Sequence, residues 1–193
     1  MIIVITLPYF IDREAEKIVA QFEQRHIDLL HLRKPQASEE EVERLIRAIP
    51  KEYYPRITLH DFHALAFKYQ LGGIHLTGRH PEVPEGWEGR VSTSCHSVDE
   101  LARRKQEGYY VNGNRRDFAY LSLSPIFDSI SKQGYCAAFS EKVLNDAYHQ
   151  GIIDQSVLAL GGVTFDLIET VRRMGFGGAM ILGDAWRKND YLT

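Results

Sequence analysis

Residues 156–162 read Ser-Val-Leu-Ala-Leu-Gly-Gly, and this stretch decides between two folds. A continuous apolar run is typical of a strand covered on both faces, and the two glycines after it let backbone amides approach a ligand closely. An open dinucleotide-binding sheet places its glycine-rich turn after the first strand instead. Here the first apolar run is followed by Leu7-Pro8-Tyr9-Phe10, without glycine. Late glycines favour a closed barrel, which binds phosphate at the loops after strands seven and eight.

The rest of the chain repeats the same alternation of strand and helix. Eight short apolar runs are separated by amphipathic segments: Ile2–Thr6, Asp28–Leu32, Arg56–Leu59, Gly73–Leu76, Arg90–Ser94, Phe118–Leu123, Ser156–Leu160 and Gly178–Leu182. Strands that alternate with helices form parallel βαβ units. We therefore predict one domain over residues 1–193, an α/β protein with the TIM (β/α)8-barrel fold. Because such barrels usually need ~200 residues or more, the fourth and eighth helical segments must be short.

Local signals place the helices between these runs. Ser38 and Ser97 each stand three residues before a glutamate, which predicts two capping boxes, and Thr164 begins a helix that ends near Gly175. Three further helices are predicted over Glu14–Arg25, Phe62–Tyr69 and Ser140–Gln150. The segment 77–89 contains two prolines and three glycines, so a loop or a single turn is expected there.

Composition limits the possible partners. The 23 Lys and Arg residues against 26 Asp and Glu give a net charge of -3, which argues against a nucleic-acid binder. The two cysteines, Cys95 and Cys136, show no metal-ligand or disulfide spacing. No stretch approaches the ~20 apolar residues of a membrane span, and no signal peptide is evident. We expect a cytoplasmic protein with no membrane partner; self-association into a homo-oligomer stays open.

In a barrel, catalytic groups lie at the carboxyl ends of strands. His31, His60 and His80 occupy such positions, where a histidine suits general acid–base work. His75 is explained equally well as a functional residue and as a hydrogen-bonded residue that caps the barrel core. Ser94 and Arg33, which also lie at strand ends, are predicted to bind the substrate or its phosphate, and Arg33 could clamp an anion. Metal binding by the histidines is disfavoured, since no His-x-x-x-His spacing accompanies them.

A phosphate site is predicted on the other half of the rim. Ser129, Ser131 and Lys132 offer two hydroxyls and an ammonium within four residues. Gly161-Gly162 and Gly183 add exposed backbone amides, the latter before the last helix. Together these three features favour phosphate binding.

Several blocks, in the right order, make the sequence similar to the thiamine phosphate synthase/TenI family. They are Leu30-His31-Leu32-Arg33, Leu59-His60-Asp61 with Gly73-Ile74-His75-Leu76, Ser94-Cys95-His96, Ser124-Pro125-Ile126-Phe127-Asp128-Ser129-Ile130-Ser131-Lys132 and Ala159-Leu160-Gly161-Gly162-Val163. The resemblance covers almost the whole chain. It implies that the serine–lysine block and Gly161-Gly162 hold the phosphate of a hydroxyethylthiazole phosphate. The family's synthases join this thiazole to a pyrimidine pyrophosphate with the help of Mg2+.

On the pyrophosphate side the sequence departs from the family pattern. The Gln-x-Arg-x-Lys motif becomes His31, Arg33 and Pro35, Asn-Asp becomes His60-Asp61, and an aspartate is replaced by His80. Only Arg33 and one carboxylate remain, whereas Mg2+ is held by hard oxygen ligands. The resemblance therefore implies a protein built for thiazole phosphate but not for Mg2+-pyrophosphate.

Three functions follow. The first is a TenI-like thiazole tautomerase, which moves a proton without a cofactor or metal and uses His31, His60 or His80 as the base. The second is a genuine thiamine phosphate synthase with Mg2+ on Asp61. The third is a non-catalytic or regulatory binder of the phosphorylated heterocycle.

Overall fold

The computed structural model describes residues 1–128 and 138–187. Its ten strands in chain order are β1 Ile2–Ile5, β2 Leu29–Leu32, β3 Ile57–Leu59, β4 Gly73–Leu76, β5 Arg90–Cys95, β6 Tyr109–Val111, β7 Asn114–Arg116, β8 Tyr120–Leu123, β9 Val157–Leu160 and β10 Gly178–Ile181. Eight of them form a closed barrel in the order β1-β10-β9-β8-β5-β4-β3-β2, with parallel pairing throughout. The predicted barrel is confirmed. The antiparallel hairpin of β6 and β7, which precedes β8, was not predicted.

Helices follow the barrel strands close to the predicted ranges, except that Thr164 makes no side-chain cap bond and begins a 3-10 turn rather than a helix. They are α1 Glu14–Gln24, α2 Glu39–Ala48, α3 His63–Lys68, α4 Val98–Glu107, α5 Glu141–His149 and α6 Ile168–Arg173. The 3-10 turns cover Lys51–Arg56, Phe165–Leu167 and Asp184–Trp186. Within the described ranges, residues 77–89 contain no helix, and only the last 3-10 turn follows β10. The fourth helical segment is thus absent, and the described part of the eighth is short.

The two predicted capping boxes have different outcomes. Ser38 accepts from the amide of Glu41, whose carboxylate accepts from the Ser38 amide at 2.8 Å, so this box is complete. Ser97 likewise caps α4 by accepting from the Glu100 amide. The Glu100 carboxylate, however, accepts from the amide of His96 rather than of Ser97. The second prediction was therefore only half right, because the acidic side chain reaches one residue further back.

The barrel interior is divided into an apolar half and a polar half. Strands β1, β9 and β10, with β2, fill one part with the side chains of Ile3, Ile5, Leu29, Leu158 and Met180. The strands from β2 through β5 to β8 also point polar side chains inward: His31, Thr58, His60, His75, Ser92, Ser122 and Tyr120, all buried. Their alternate residues, such as Leu30 and Ile74, face the helices. Barrel interiors are usually dominated by branched aliphatic residues, so the polar half calls for a functional explanation.

The helices surround the barrel, and those in the described residues are too short to cross a bilayer. The longest of those described, α1, has 11 residues, about half of the ~20 that a span needs. No helix in residues 1–128 or 138–187 is both long and apolar enough for a membrane. The hydrophobic face of each helix instead packs on the outward side chains of the strands.

Candidate active site

A cavity of about 660 Å³ opens at the carboxyl ends of the barrel strands. Its polar wall includes Arg33, His60, His75 and Ser94, which follow or belong to β2 through β5. Its apolar wall comes from β1, β9 and β10: Ile5, Leu160, Met180 and Leu182. The cavity therefore continues the division of the barrel interior and offers a ligand two chemically distinct sides. A volume of this size is typical of a small-molecule site.

Three histidine rings lie together at the base of the polar wall. Nδ1 of His31 lies 2.8 Å from Nε2 of His60, and Nε2 of His31 lies 2.5 Å from the hydroxyl of Tyr120. The ring of His75 stacks on that of His60, with centroids 4.2 Å apart. His60 and His75 line the cavity, whereas His31 is fully buried beneath them. The structure thus brings two of the predicted histidines into direct contact.

Burial disfavours the charged form of these three histidines. Removal from water lowers the pKa of His75 to about 3, and it holds the pKa of His31 and of His60 well below the usual value. Repulsion adds to the effect, since His75 disfavours a charge on His31 and on His60, and Arg33 disfavours one on His60 and on His75. A neutral imidazole has one N–H and one lone pair, so each ring can accept a proton.

His75 has its own hydrogen bonds to neighbouring strands. Its Nδ1 lies 2.8 Å from Oγ of Ser92, and its Nε2 lies 3.1 Å from Oγ of Ser94. Ser122 donates to Ser94 at 2.9 Å. Because both nitrogens of His75 already have partners, its satisfied, buried ring fits the interpretation as a core-capping residue. Ser94 lies in the cavity wall, as expected of a strand-end residue.

The three histidines also have to be considered as metal ligands. One nitrogen from each ring lies within 4.8 Å of the others. No other group of three potential metal ligands converges in this way in the described ranges. Their arrangement does not suit a shared ion, because the lone pairs of imidazole lie in the ring plane and His60 and His75 stack with only 24° between their planes. Nε2 of His60 lies only 2.8 Å from Nδ1 of His31. Two nitrogens that bind one tetrahedral zinc, each at about 2.0–2.1 Å, would lie farther apart than that.

A magnesium site on Asp61 does not fit the described residues either. The carboxylate of Asp61 is buried, and its Oδ1 pairs with the guanidinium of Arg79 at 2.8 Å. Nε2 of His80 lies 3.4 Å from the same oxygen. Asp61 has a second oxygen that is buried and without a partner, but it is absent from the cavity lining. Mg2+ usually takes near-octahedral oxygen ligands, and Asp61 belongs to no converging group of three potential metal ligands in the described ranges.

His80 lies apart from the other two predicted histidines. Its side chain is 44% exposed beside Asp61, it is absent from the cavity lining, and its ring contacts that of His63 instead. Residue 80 belongs to the long loop after β4, in which Thr77, Gly78 and Pro81 line the cavity but His80 does not. The geometry therefore supports His31 and His60 as one unit and places His80 outside it.

The glycine rim lies where the sequence predicted it. Gly161, Gly162 and Gly183 all line the cavity. Gly162 has φ +66°, and a Cβ there would lie 2.3 Å from the carbonyl oxygen of Asp128. Glycine is needed at this turn because the backbone approaches the segment that leads into Ser129. Ser129, Ser131 and Lys132 lie outside the described residues.

Three further charged residues line the cavity that the sequence analysis did not name: Glu100, Arg104 and Asp184. Glu100 and Arg104 are one helical turn apart on α4, and Nε of Arg104 is buried without a hydrogen-bond partner in the described part of the chain. The Asp184 carboxylate accepts from the amide of Phe165. The four-residue spacing of Glu100 and Arg104 is visible in the sequence. Neither residue lies at a strand end, however, where the barrel fold predicts catalytic groups.

Comparison with known proteins bears on the whole chain. Residues 2–183 match the family model described as thiamine monophosphate synthase, TMP-TENI. The chain belongs to this family. The resemblance drawn from the residue blocks is therefore confirmed, and with it a family of enzymes of thiamine biosynthesis.

Individual relatives agree with this assignment. A thiamine-phosphate synthase from Actinobacillus succinogenes is 29% identical over 132 residues, which cover 68% of this chain and 58% of that protein. The match thus spans less than two thirds of the relative's length. The crystal structure of a thiamine phosphate pyrophosphorylase from Bacteroides thetaiotaomicron is 38% identical, with a TM-score of 0.82 and coverage of 98% of this chain and 86% of that one. A structure described as native KDPGal, 18% identical with a TM-score of 0.62 over 98% of this chain and 85% of its own, shows the shared fold alone.

Proposed function

We propose that this protein is a TenI-like thiazole tautomerase that moves a proton on a phosphorylated thiazole, with His60 as the base and without a metal. The observation that supports this most is the position of the His60 ring, which lines the cavity and is held from below by His31. A proton transfer needs a positioned base in its unprotonated form. Burial lowers the pKa of His60 and so favours that form.

The rest of the cavity suits a ligand with an anionic end and a flat apolar ring. Gly161, Gly162 and Gly183 offer a rim for the phosphate, and Ser129, Ser131 and Lys132 stay predicted phosphate ligands from the sequence. Arg33 adds a cation at the polar wall, where a carboxylate of the substrate would bind. The apolar wall would pack against the ring.

The contacts of the Asp61 carboxylate favour the tautomerase over the synthase. In the synthase interpretation this carboxylate would hold Mg2+, and the ion would bind the pyrophosphate. Here Arg79 pairs with Oδ1 of Asp61 at 2.8 Å, and Nε2 of His80 lies 3.4 Å from the same oxygen. A cation that pairs with the carboxylate competes with the ion for the same oxygen.

The synthase is the second candidate, because relatives at 29% and 38% identity carry the names thiamine-phosphate synthase and thiamine phosphate pyrophosphorylase. One experiment separates the two. Purified protein is supplied with thiazole phosphate, pyrimidine pyrophosphate and Mg2+, and pyrophosphate release is followed. Turnover at an ordinary enzymatic rate would establish the synthase and refute our proposal.

The proposal itself is tested by absorbance change on the thiazole tautomer, with His60→Gln and His80→Gln as a matched pair. We expect His60→Gln to lower kcat at least a hundredfold, the usual contribution of a positioned acid–base group. His80→Gln should change it less than threefold, because His80 is outside the cavity lining. A full-rate His60→Gln enzyme would exclude His60 as the base. Binding of the thiazole phosphate without either reaction would support the non-catalytic binder instead.

A further inference from the structure

Two buried residues that do not line the cavity are connected to His60 through hydrogen bonds. Tyr120 and His31 are 1% and 0% exposed, and neither contributes to the cavity wall. Tyr120 extends from β8 across the barrel interior to His31 on β2, and His31 in turn contacts His60 just after β3. The three side chains form one continuous row from the far side of the barrel to the cavity floor.

From this row we infer that Tyr120 and His31 are positioning residues, which hold His60 in the tautomer that carries its proton on Nε2 and leaves the Nδ1 lone pair for the substrate. The inference rests on the proposed role of His60 as a base. It extends that role to two residues that touch neither substrate nor cavity.

The proton positions follow from the donor and acceptor inventory of the row. Each neutral imidazole has one N–H and one lone pair, and Nδ1 of His31 faces Nε2 of His60 at 2.8 Å. Two N–H groups, or two lone pairs, cannot face each other across that distance. The protons must therefore all point toward Tyr120 or all point toward His60.

Only one of these two arrangements makes His60 a base. When Nε2–H of His60 donates to Nδ1 of His31, Nε2–H of His31 donates to the Tyr120 oxygen, 2.5 Å away. The Tyr120 hydroxyl can then donate to Oγ1 of Thr58, 3.4 Å away. Nδ1 of His60 keeps its lone pair. In the reverse arrangement Nδ1 carries the proton, and His60 cannot accept another there.

Burial makes this control effective. A side chain with almost no exposed surface cannot replace a lost partner with bulk water, so a broken bond leaves an unsatisfied buried nitrogen. The arrangement follows the general pattern of a catalytic base whose orientation is set by a third group. Here the third group is His31, and the direction of its hydrogen bond with Tyr120 is coupled to the tautomer of His60.

The test reads the tautomers directly and needs no substrate. Two-bond 1H–15N correlation spectra of 15N-labelled protein at pH 7.5 distinguish Nδ1–H from Nε2–H histidines, and His60→Gln and His31→Gln spectra assign the signals. We expect Nε2–H for both His60 and His31 in the wild type. A wild-type His60 with its proton on Nδ1 would overturn the inference, even if Tyr120 variants do not accumulate as folded protein.

Tyr120→Phe removes only the hydroxyl and should shift His31 and His60 to the opposite tautomers, because Nε2–H of His31 loses its acceptor. With thiazole substrate, kcat should fall about tenfold with KM unchanged, because the fraction of the active tautomer falls. Tyr54→Phe is the matched control: Tyr54 is also buried, and its hydroxyl donates to the Ile46 carbonyl, away from the histidines. Unchanged His31 and His60 signals in Tyr120→Phe would overturn the inference, as would stoichiometric zinc in the purified protein. If the tautomers behave as expected but no thiazole is converted, the proposed reaction fails and the hydrogen-bonded row stands as a structural feature.

Discussion

Mild acid should destabilise this fold because His31, His60 and His75 are buried as neutral rings. In the unfolded chain a histidine is protonated below a pKa of about 6.5. In the folded protein burial lowers the pKa of all three, that of His75 to about 3. The unfolded state therefore binds more protons as the pH falls below 6.5, and the free energy of unfolding must fall with it.

The size of the effect follows from proton linkage. Between pH 7.0 and pH 5.5, one histidine that is protonated only in the unfolded state costs about 1.3 kcal/mol. Three such residues cost about 4 kcal/mol if none of them is protonated in the folded protein over that interval. No discount for solvent applies, since the three side chains are 0 to 5% exposed. Native domains are stable by only about 5–15 kcal/mol, so the loss should be large.

Urea denaturation, followed by far-UV circular dichroism at half-unit pH steps from 7.5 to 5.0, measures this dependence. His75→Gln should reduce the loss between pH 7.0 and 5.5 by about 1.3 kcal/mol, because one titrating group is removed. His149→Gln is the control: His149 is exposed at the end of α5, and its ring contacts Tyr148 rather than the cluster. A total loss below 1 kcal/mol, or a His75→Gln protein with the wild-type slope, would refute the reasoning.

Three other substitutions test separate parts of the structure. Lys34→Ala should lower the free energy of unfolding by about 3–5 kcal/mol in urea titrations, because Glu14, 2.6 Å from the Lys34 ammonium, is then buried without its counterion; a cost below 1 kcal/mol would show that Glu14 is solvated. Gly162→Ala should weaken thiazole phosphate binding in calorimetry, since its Cβ would lie 2.3 Å from a backbone oxygen, whereas Gly151→Ala, which also has a positive φ but lies outside the cavity lining with nothing within 4 Å, should bind normally. Lys132→Ala should weaken the same binding by one to two orders of magnitude, at about 1.4 kcal/mol for each tenfold; unchanged affinity at low salt would exclude Lys132.

Much of the fold could be predicted because its signals are local. Each barrel strand lies within one predicted run or extends it by a single residue, as β5 does at Cys95, and Ser38 begins α2 with the full capping box. The hairpin of β6 and β7 was missed because β7, Asn114–Arg116, is exposed and carries no apolar residue. Apolar runs reveal strands that are covered, whereas an exposed polar strand has no such signal.

The candidate site was predictable only in part, because closure of the barrel decides which strand ends meet. The sequence placed His31, His60 and His80 on the same rim, but the loop after β4 carries His80 to Asp61. Tyr120 escaped notice because it lies at the start of its strand, far from the carboxyl end. Only the closed sheet shows that β8 lies across the interior from β2, so that its hydroxyl reaches His31.

Because its two walls differ chemically, the cavity distinguishes the two faces of a flat ligand. A planar heterocycle placed between Ile5 and Met180 on one side and His60 and Ser94 on the other presents one face to hydrocarbon and the opposite face to polar groups. In the proposed reaction, a proton would then leave or arrive on the polar face alone. If the carbon that loses the proton is tetrahedral, only one of its two mirror-image forms directs that hydrogen at His60. A racemic substrate would therefore be consumed to half its amount, and the remaining half would be optically pure.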